Sequence, residues 1–205
     1  MNNNDNLKNR NRWARCWYRI EVNSEGNGDG SVPVLKIKIS YLAFDYNVRK
    51  DVVAGYVKLE RVPSHFNTRT RKAIGRAYRM SDNMFDSADL VRVCEDMNLE
   101  TEVWQEAVMG KNLKRSDLYY IEELFVEPKF RGQGLGSHIL RALPKEIRIN
   151  LHEQRPVIAV IPYPIEYSPS DPACKDAYLR LVSFYKRNGY AFPKENTQTM
   201  IYNLE

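Results

Sequence analysis

The sequence predicts an α/β domain built on a mixed sheet. Three observations lead there. Strand-like segments come first, and the second half then alternates as strand, helix, strand, helix, strand, strand. A turn carrying Gly132, Gly134 and Gly136 joins an apolar strand to a helix-like stretch. A chain of 205 residues with 43% hydrophobic content suits one domain with a full-sized core, or one domain with an insertion.

The elements follow in order. Residues 1–12 are Asn-rich and polar and lack the apolar centre of a secretory signal, so they read as a disordered tail ahead of a single domain at 13–205. Trp13 to Val22 reads as the first strand, with Trp17, Arg19 and Glu21 alternating against Tyr18, Ile20 and Val22. Glu25 to Gly30 is a glycine-rich loop. Val34 to Tyr46 is dominated by Val34, Leu35, Ile37, Ile39, Tyr41 and Leu42. Val52 to Val62 follows a turn at Asn47 to Asp51, so the two strands read as a hairpin. Segment 63–117 is atypical: it opens basic and continues with Ala88, Leu90, Val91, Val93, Cys94, Val103, Trp104 and Ala107 at helical spacing.

Leu118 to Val126 is the next strand. It runs through the glycine turn into a helix reaching Leu143, which Pro144 is expected to end or kink. Val157 to Ile161 is a short strand of buried type, and Pro162 to Pro172 is a proline-rich loop. Asp176 to Lys186 is an amphipathic helix with Gly189 in a C-cap role. Tyr190 to Phe192 and Met200 to Leu204 form a closing hairpin.

Composition narrows the function classes. No apolar run approaches about 18 residues, so no membrane span or membrane partner is expected. Cys16, Cys94 and Cys174 form no CxxC pair and read as reduced thiols of a cytoplasmic protein. His65, His138 and His152 show no metal-ligand spacing, so no metal site is expected. Lys and Arg number 31 against 26 Asp and Glu, a net charge of +5. That mild excess suits an anionic ligand, and is less than a dedicated nucleic-acid binder usually carries.

The glycine turn is the most informative segment. Convergent backbone N–H groups at a helix N-terminus make an anion site. A P-loop needs Lys-Ser/Thr after its last glycine, but Ser137-His138 follows Gly136. A dinucleotide fingerprint counted from Gly132 and Gly134 needs glycine at position 137, which is Ser137, and Val157 to Ile161 supplies no acidic residue. A glycine-rich strand-to-helix turn with no ligand is the plain alternative. The pattern Arg131-x-x-Gly134-x-Gly136, after an apolar strand ending in Val-x-Pro, resembles the coenzyme A pyrophosphate loop of the GNAT superfamily of N-acetyltransferases. Phe184-Tyr185-Lys186-Arg187-Asn188-Gly189-Tyr190 resembles that family's second signature, and Met200 to Leu204 its closing strand. Locally, Glu122 to Val126 and Phe184 to Gly189 look most like the polyamine-acetylating branch. Tyr178 stands where the family usually has Asn, and the first half is unusual.

The resemblance implies a mostly antiparallel twisted sheet flanked by helices, with splayed central parallel strands and, in this chain, a helical insertion before the fourth strand. It implies acetyl-CoA as cosubstrate, held by Phe125, Val126, Arg131, Gly132, Gln133, Gly134, Leu135, Gly136 and Ser137. Gly134 and Gly136 are expected to keep side chains away from the pyrophosphate, and Arg131 to add charge. Attack of a neutral amine on the thioester needs a base and then an acid for the departing thiolate. Tyr185 is the expected acid, with Phe184 filling the core beside it. Glu122 and Glu123 are the candidate bases. Strand alternation lets only one of them face the cleft, and Glu122 is preferred. The alternatives are a core tyrosine and a carboxylate in a salt bridge. No metal is required, and a homodimer is compatible with the family.

The acceptor is expected to be an amine on a small molecule or a protein. A rival reading keeps the fold as a catalytically silent binding module. In it, Arg61, Arg69, Arg71, Lys72, Arg76 and Arg79, with Phe66 and Tyr78 interleaved, contact nucleic acid. A solvated basic face is the plainer account of that segment.

Overall fold

The computed structural model describes residues 17–25, 34–45, 49–62, 117–154, 156–168, 170–193 and 197–202. The strands are β1 (Trp17–Glu25), β2 (Val34–Asp45), β3 (Lys50–Val62), β4 (Leu118–Val126), β5 (Val157–Val160), β6 (Tyr190–Ala191) and β7 (Met200–Tyr202). Two long helices, α1 (Leu135–Asn150) and α2 (Pro172–Arg187), and a single 3-10 turn at Pro128–Phe130 complete the described elements. The strands form one sheet in the order β1-β2-β3-β4-β5-β7-β6. Every neighbouring pair is antiparallel except β4 and β5. The expected mixed, mostly antiparallel α/β sheet is therefore present. The tail at 1–12, the helical insertion, and the basic segment beyond Arg61 lie outside the described residues. No helix among the described residues is long and apolar enough to cross a membrane.

Register explains the core. Val22, Ile37, Leu59 and Ile121 stand opposite one another across β1 to β4, as do Ile20, Ile39, Val57 and Leu124 in the next row. Side chains in a row share one face of the pleat. Ile37, Ile39, Val57, Leu59 and Ile121 join Leu135, Ile139, Leu140, Leu143 and Ile147 of α1 in one buried cluster. Full burial of an Ile or Leu side chain is worth roughly 1.5–3 kcal/mol, so this layer dominates the stability of the sheet–helix unit.

Three boundaries differ from the sequence expectation by three residues or more. β1 continues past Val22 to Glu25, because Ser24 and Glu25 pair with Leu35 and Val34, and a backbone ladder needs no apolar side chain. Pro144 does not end α1, which runs on to Asn150. Proline removes one backbone donor, but Leu140, Leu143, Pro144 and Ile147 are all buried at i, i+3, i+4, i+7 spacing, so packing holds both halves of the helix on the sheet. α2 starts at Pro172, four residues before the apolar periodicity begins. Asp171 caps it by accepting from the Ala173 N–H at 2.8 Å, and Pro172 occupies the first turn, where a missing donor costs nothing. At its other end Gly189, with φ of +90°, donates to Lys186 O at 3.2 Å and fills the C-cap role expected of it.

Candidate active site

β4 is paired on both edges only in its first half. Leu118, Tyr119, Tyr120 and Ile121 pair with Val157, Ile158, Ala159 and Val160 of β5, and all eight are buried. Beyond Ile121 the β5 pairing stops while the β3 pairing continues to Val126. A cleft of about 560 Å³ lies beside this second half. It is bordered by Ile121 to Val126, by the chain after β5, by Arg131 and Gly136 of the glycine turn, and by Phe184 and Tyr185 of α2. The parallel strands thus part where the resemblance implied, and both signature segments meet at the gap.

The edge of β4 at the gap carries backbone donors. The Glu127 N–H donates to Ala54 O of β3 at 2.9 Å. Strand alternation turns the neighbouring Val126 N–H toward the opposite edge, where β5 is absent.

The two glutamates depart from simple alternation. Lys58 pairs with Glu123, but the next residue, Leu59, pairs with Ile121, so Glu122 has no residue opposite it on β3. This β-bulge breaks the period of two, and both Glu122 and Glu123 border the cleft. Glu123 accepts from the Tyr56 hydroxyl at 2.7 Å through Oε1 and from Lys58 Nζ at 2.6 Å through Oε2. Burial by itself would raise the Glu123 carboxyl; the hydrogen bonds from Lys58 and Tyr56 outweigh it and hold the group below the ordinary glutamate range. Burial and the hydrogen bond to Glu123 push Tyr56 up to about 12.

α2 brings Tyr185 to the cleft. Ala177, Val182 and Tyr185 are its buried residues, so Tyr185 lies on the core-facing stripe at 5% exposure. Its ring meets Phe184 and Tyr190 edge-on, each at 5.5 Å. Burial raises its hydroxyl well above the ordinary tyrosine value, so the phenol keeps its proton at neutral pH. The expected division of labour is reversed in burial: Tyr185 is the buried ring, and Phe184 is half-buried beside the glycine turn.

The turn itself uses its glycines in two ways. Gly134 is the N-cap of α1 with φ of +83°, a left-handed conformation that disfavours any side chain, and a Cβ there would meet nothing within 4 Å. A Cβ on Gly136 would lie 3.2 Å from the Phe184 ring, so its missing side chain admits α2 rather than leaving open space. The N–H groups of Leu135, Gly136 and Ser137 open the helix, where no intrahelical acceptor precedes them. Leu135 contributes its side chain to the core, and Gln133 turns back to donate to Lys129 O at 2.8 Å. Of the expected cofactor residues, Phe125, Val126, Arg131 and Gly136 border the cleft, whereas Gly132, Gln133 and Gly134 of the turn and Leu135 and Ser137 of α1 do not. Arg131 donates to Val126 O at 2.9 Å and pairs with Glu166 of the proline-rich loop at 3.3 Å. Its charge is therefore spanned across the cleft mouth and not aimed along the turn.

Sequence reasoning missed Tyr56, Lys58, Glu166 and Arg180. Tyr56 and Lys58 reach the site through the register of a strand more than sixty residues away in sequence, a link that no local pattern carries. Among the described residues, no group of three His, Cys, Asp or Glu is placed to hold a metal ion.

Comparison with known proteins agrees with this geometry. Residues 93–191 match the family described as acetyltransferase (GNAT) domain. This segment is a GNAT acyltransferase domain. The match takes in β4, the glycine turn, α1, β5, α2 and β6. No curated protein matches the chain in sequence. Among solved structures, a mutant of KacT aligns at 13% identity and TM-score 0.37, covering 82% of this chain and 70% of that one. A KacTA–DNA complex aligns at 12% identity and TM-score 0.38, covering 91% and 92%. Arabidopsis thaliana NAA60 in complex with acetyl-CoA aligns at 11% identity and TM-score 0.38, covering 92% and 100%. Likeness at this level carries no weight for substrate or partner.

Proposed function

We propose that the protein transfers an acetyl group from acetyl-CoA to a primary amine by direct attack. The observation that carries this reading is the parting of β4 from β5 after Ile121, with the glycine turn and Tyr185 converging on the gap. A pantetheine arm in that gap would meet the unpaired edge of β4, as an added strand does. The Leu135, Gly136 and Ser137 N–H groups at the start of α1 suit its pyrophosphate. Cofactor charge would compete with Glu166 for Arg131.

In the reaction, the amine gives a proton to Glu122, directly or through water, and its nitrogen attacks the thioester carbonyl. The Val126 N–H stabilises the developing oxyanion. The carbon–sulfur bond then breaks, the Tyr185 hydroxyl protonates the thiolate and regains a proton, through solvent, from the acylated nitrogen, and the products are the acetamide and free coenzyme A. A protonated, buried phenol is suited to that last step. The acceptor is an amine on a small molecule or protein; the short resemblance to the polyamine-acetylating branch makes polyamines one class within the screen.

Calorimetry with acetyl-CoA, followed by thiol-release assays with n-butylamine, spermidine, L-lysine methyl ester and a peptide with a free N-terminus, tests the reading. Micromolar binding and release of coenzyme A with at least one amine are expected. Binding without release across the panel would favour a silent binding module, and no binding would remove acetyl-CoA altogether.

A further inference from the structure

We infer that Tyr56, Lys58 and Glu123 form a clamp that positions Glu122 at the cleft, and that Glu123 is a positioning residue rather than the base. The inference rests on the acetyltransferase reading above. Its first support is the register. Lys58 stands opposite Glu123, then the ladder slips by one residue, so that Glu122 occupies the bulge. A bulge can re-aim a side chain, and contacts that hold the ladder beside it fix that aim. The Glu123 carboxylate pins the C-terminal side through both of its oxygens, to Tyr56 at 2.7 Å and Lys58 at 2.6 Å.

The second support is the bracing of Tyr56. Its ring stacks on Phe125 of β4 at 5.2 Å and lies under Lys38 Nζ of β2 at 4.7 Å. Three strands are thus tied together at the point where β4 leaves β5. The third support is chemical. A carboxylate that accepts from an ammonium and a phenol is a poor proton acceptor, because both donors stabilise its charged form.

Glu122 acts electrostatically on the Tyr56 hydroxyl of β3, around which Glu123, Lys58 and Lys38 are gathered. Across the cleft stand Arg131, Tyr163, Glu166 and Tyr167, then Arg180 and Tyr185 of α2. Lys58 and Glu123 cancel as a pair. Deleting either removes one sign of charge from this group, and the two deletions act in opposite directions.

The test is the pH profile of kcat/KM with acetyl-CoA and the panel amine that turns over fastest. Lys58→Met should move the acid limb up, and Glu123→Gln should move it down, each by about half a pH unit for charges at partly exposed separations. The double variant should return it close to the parent. Tyr56→Phe should lower kcat several-fold with the limb unmoved, and acetyl-CoA affinity should hold in all four proteins. If Lys58→Met does not fold, Glu123→Gln alone decides, because it keeps the shape of the side chain. Loss of the acid limb with a drop in turnover beyond 100-fold in Glu123→Gln would make Glu123 the base and overturn the clamp. Limbs that stay put, or move the same way, would overturn it as well. A parent protein with no turnover on any amine would instead overturn the acetyltransferase reading, and the clamp with it.

Discussion

The two halves of β4 are built for different work. From Leu118 to Ile121 the strand is paired on both edges and buried on both faces, and Arg61 ties its start to β3 through Asp117 at 2.6 Å. From Glu122 to Val126 the strand keeps one partner, every residue is half-buried, and the free edge borders the cleft. The first half carries stability and the second borders the proposed active site. The bulge at Glu122 is the junction between them. A strand held this firmly at one end can leave backbone donors exposed at the other, because rigid framing holds the unpaired edge open.

Substitutions should separate the halves. Ile158→Ala, opposite Tyr119 in the paired half, removes a fully buried side chain and should cost about 2–5 kcal/mol in chemical denaturation. A loss below 1 kcal/mol would mean the paired half is not the anchor. Tyr185→Phe should lower kcat about 100-fold, with acetyl-CoA affinity measured by calorimetry changed less than threefold. Unchanged turnover would take Tyr185 out of the mechanism. Gly134→Val forces a β-branched residue into a left-handed conformation and should cost about 1–3 kcal/mol, shared between acetyl-CoA binding and thermal stability. Parental values in both measurements would show the turn plays no part in holding the cofactor.

The smallest effect is a pH dependence of stability at the junction. Glu123 has a depressed folded value, so its contribution is complete above the ordinary glutamate value. It is lost as the pH falls through the lower folded value. Denaturation curves for the parent and Glu123→Gln should converge below about pH 4 and part above it. Curves that run parallel throughout would show that the Glu123 network adds nothing to folding.

Much of this was legible in the residues. The period of two in β2 and β3, the apolar run of β4 and the glycines of the turn are local signals, and each became the expected element. The borders of the cleft at the glycine turn and α2 were legible, because Arg131 to Gly136 and Tyr185 to Gly189 are short contiguous segments. The border along β3 and β4 was not. Alternation assigned Glu122 and Glu123 to opposite faces, and the one-residue register shift in the β3–β4 ladder interrupts that alternation at Glu122. Pro144 was read as a break because a missing donor is a local fact, whereas the packing that overrides it involves the whole sheet.

By itself the sequence determined the order of elements, the turn chemistry at Gly134 and the helix end at Gly189. These depend on backbone preferences of residues a few positions apart. Only the tertiary structure decided where β4 and β5 part, which glutamate is clamped, and that Arg131 reaches Glu166 across the cleft mouth. Those outcomes depend on register between strands and on contacts between side chains distant in the chain, and a ladder can slip by one residue without changing a single local propensity.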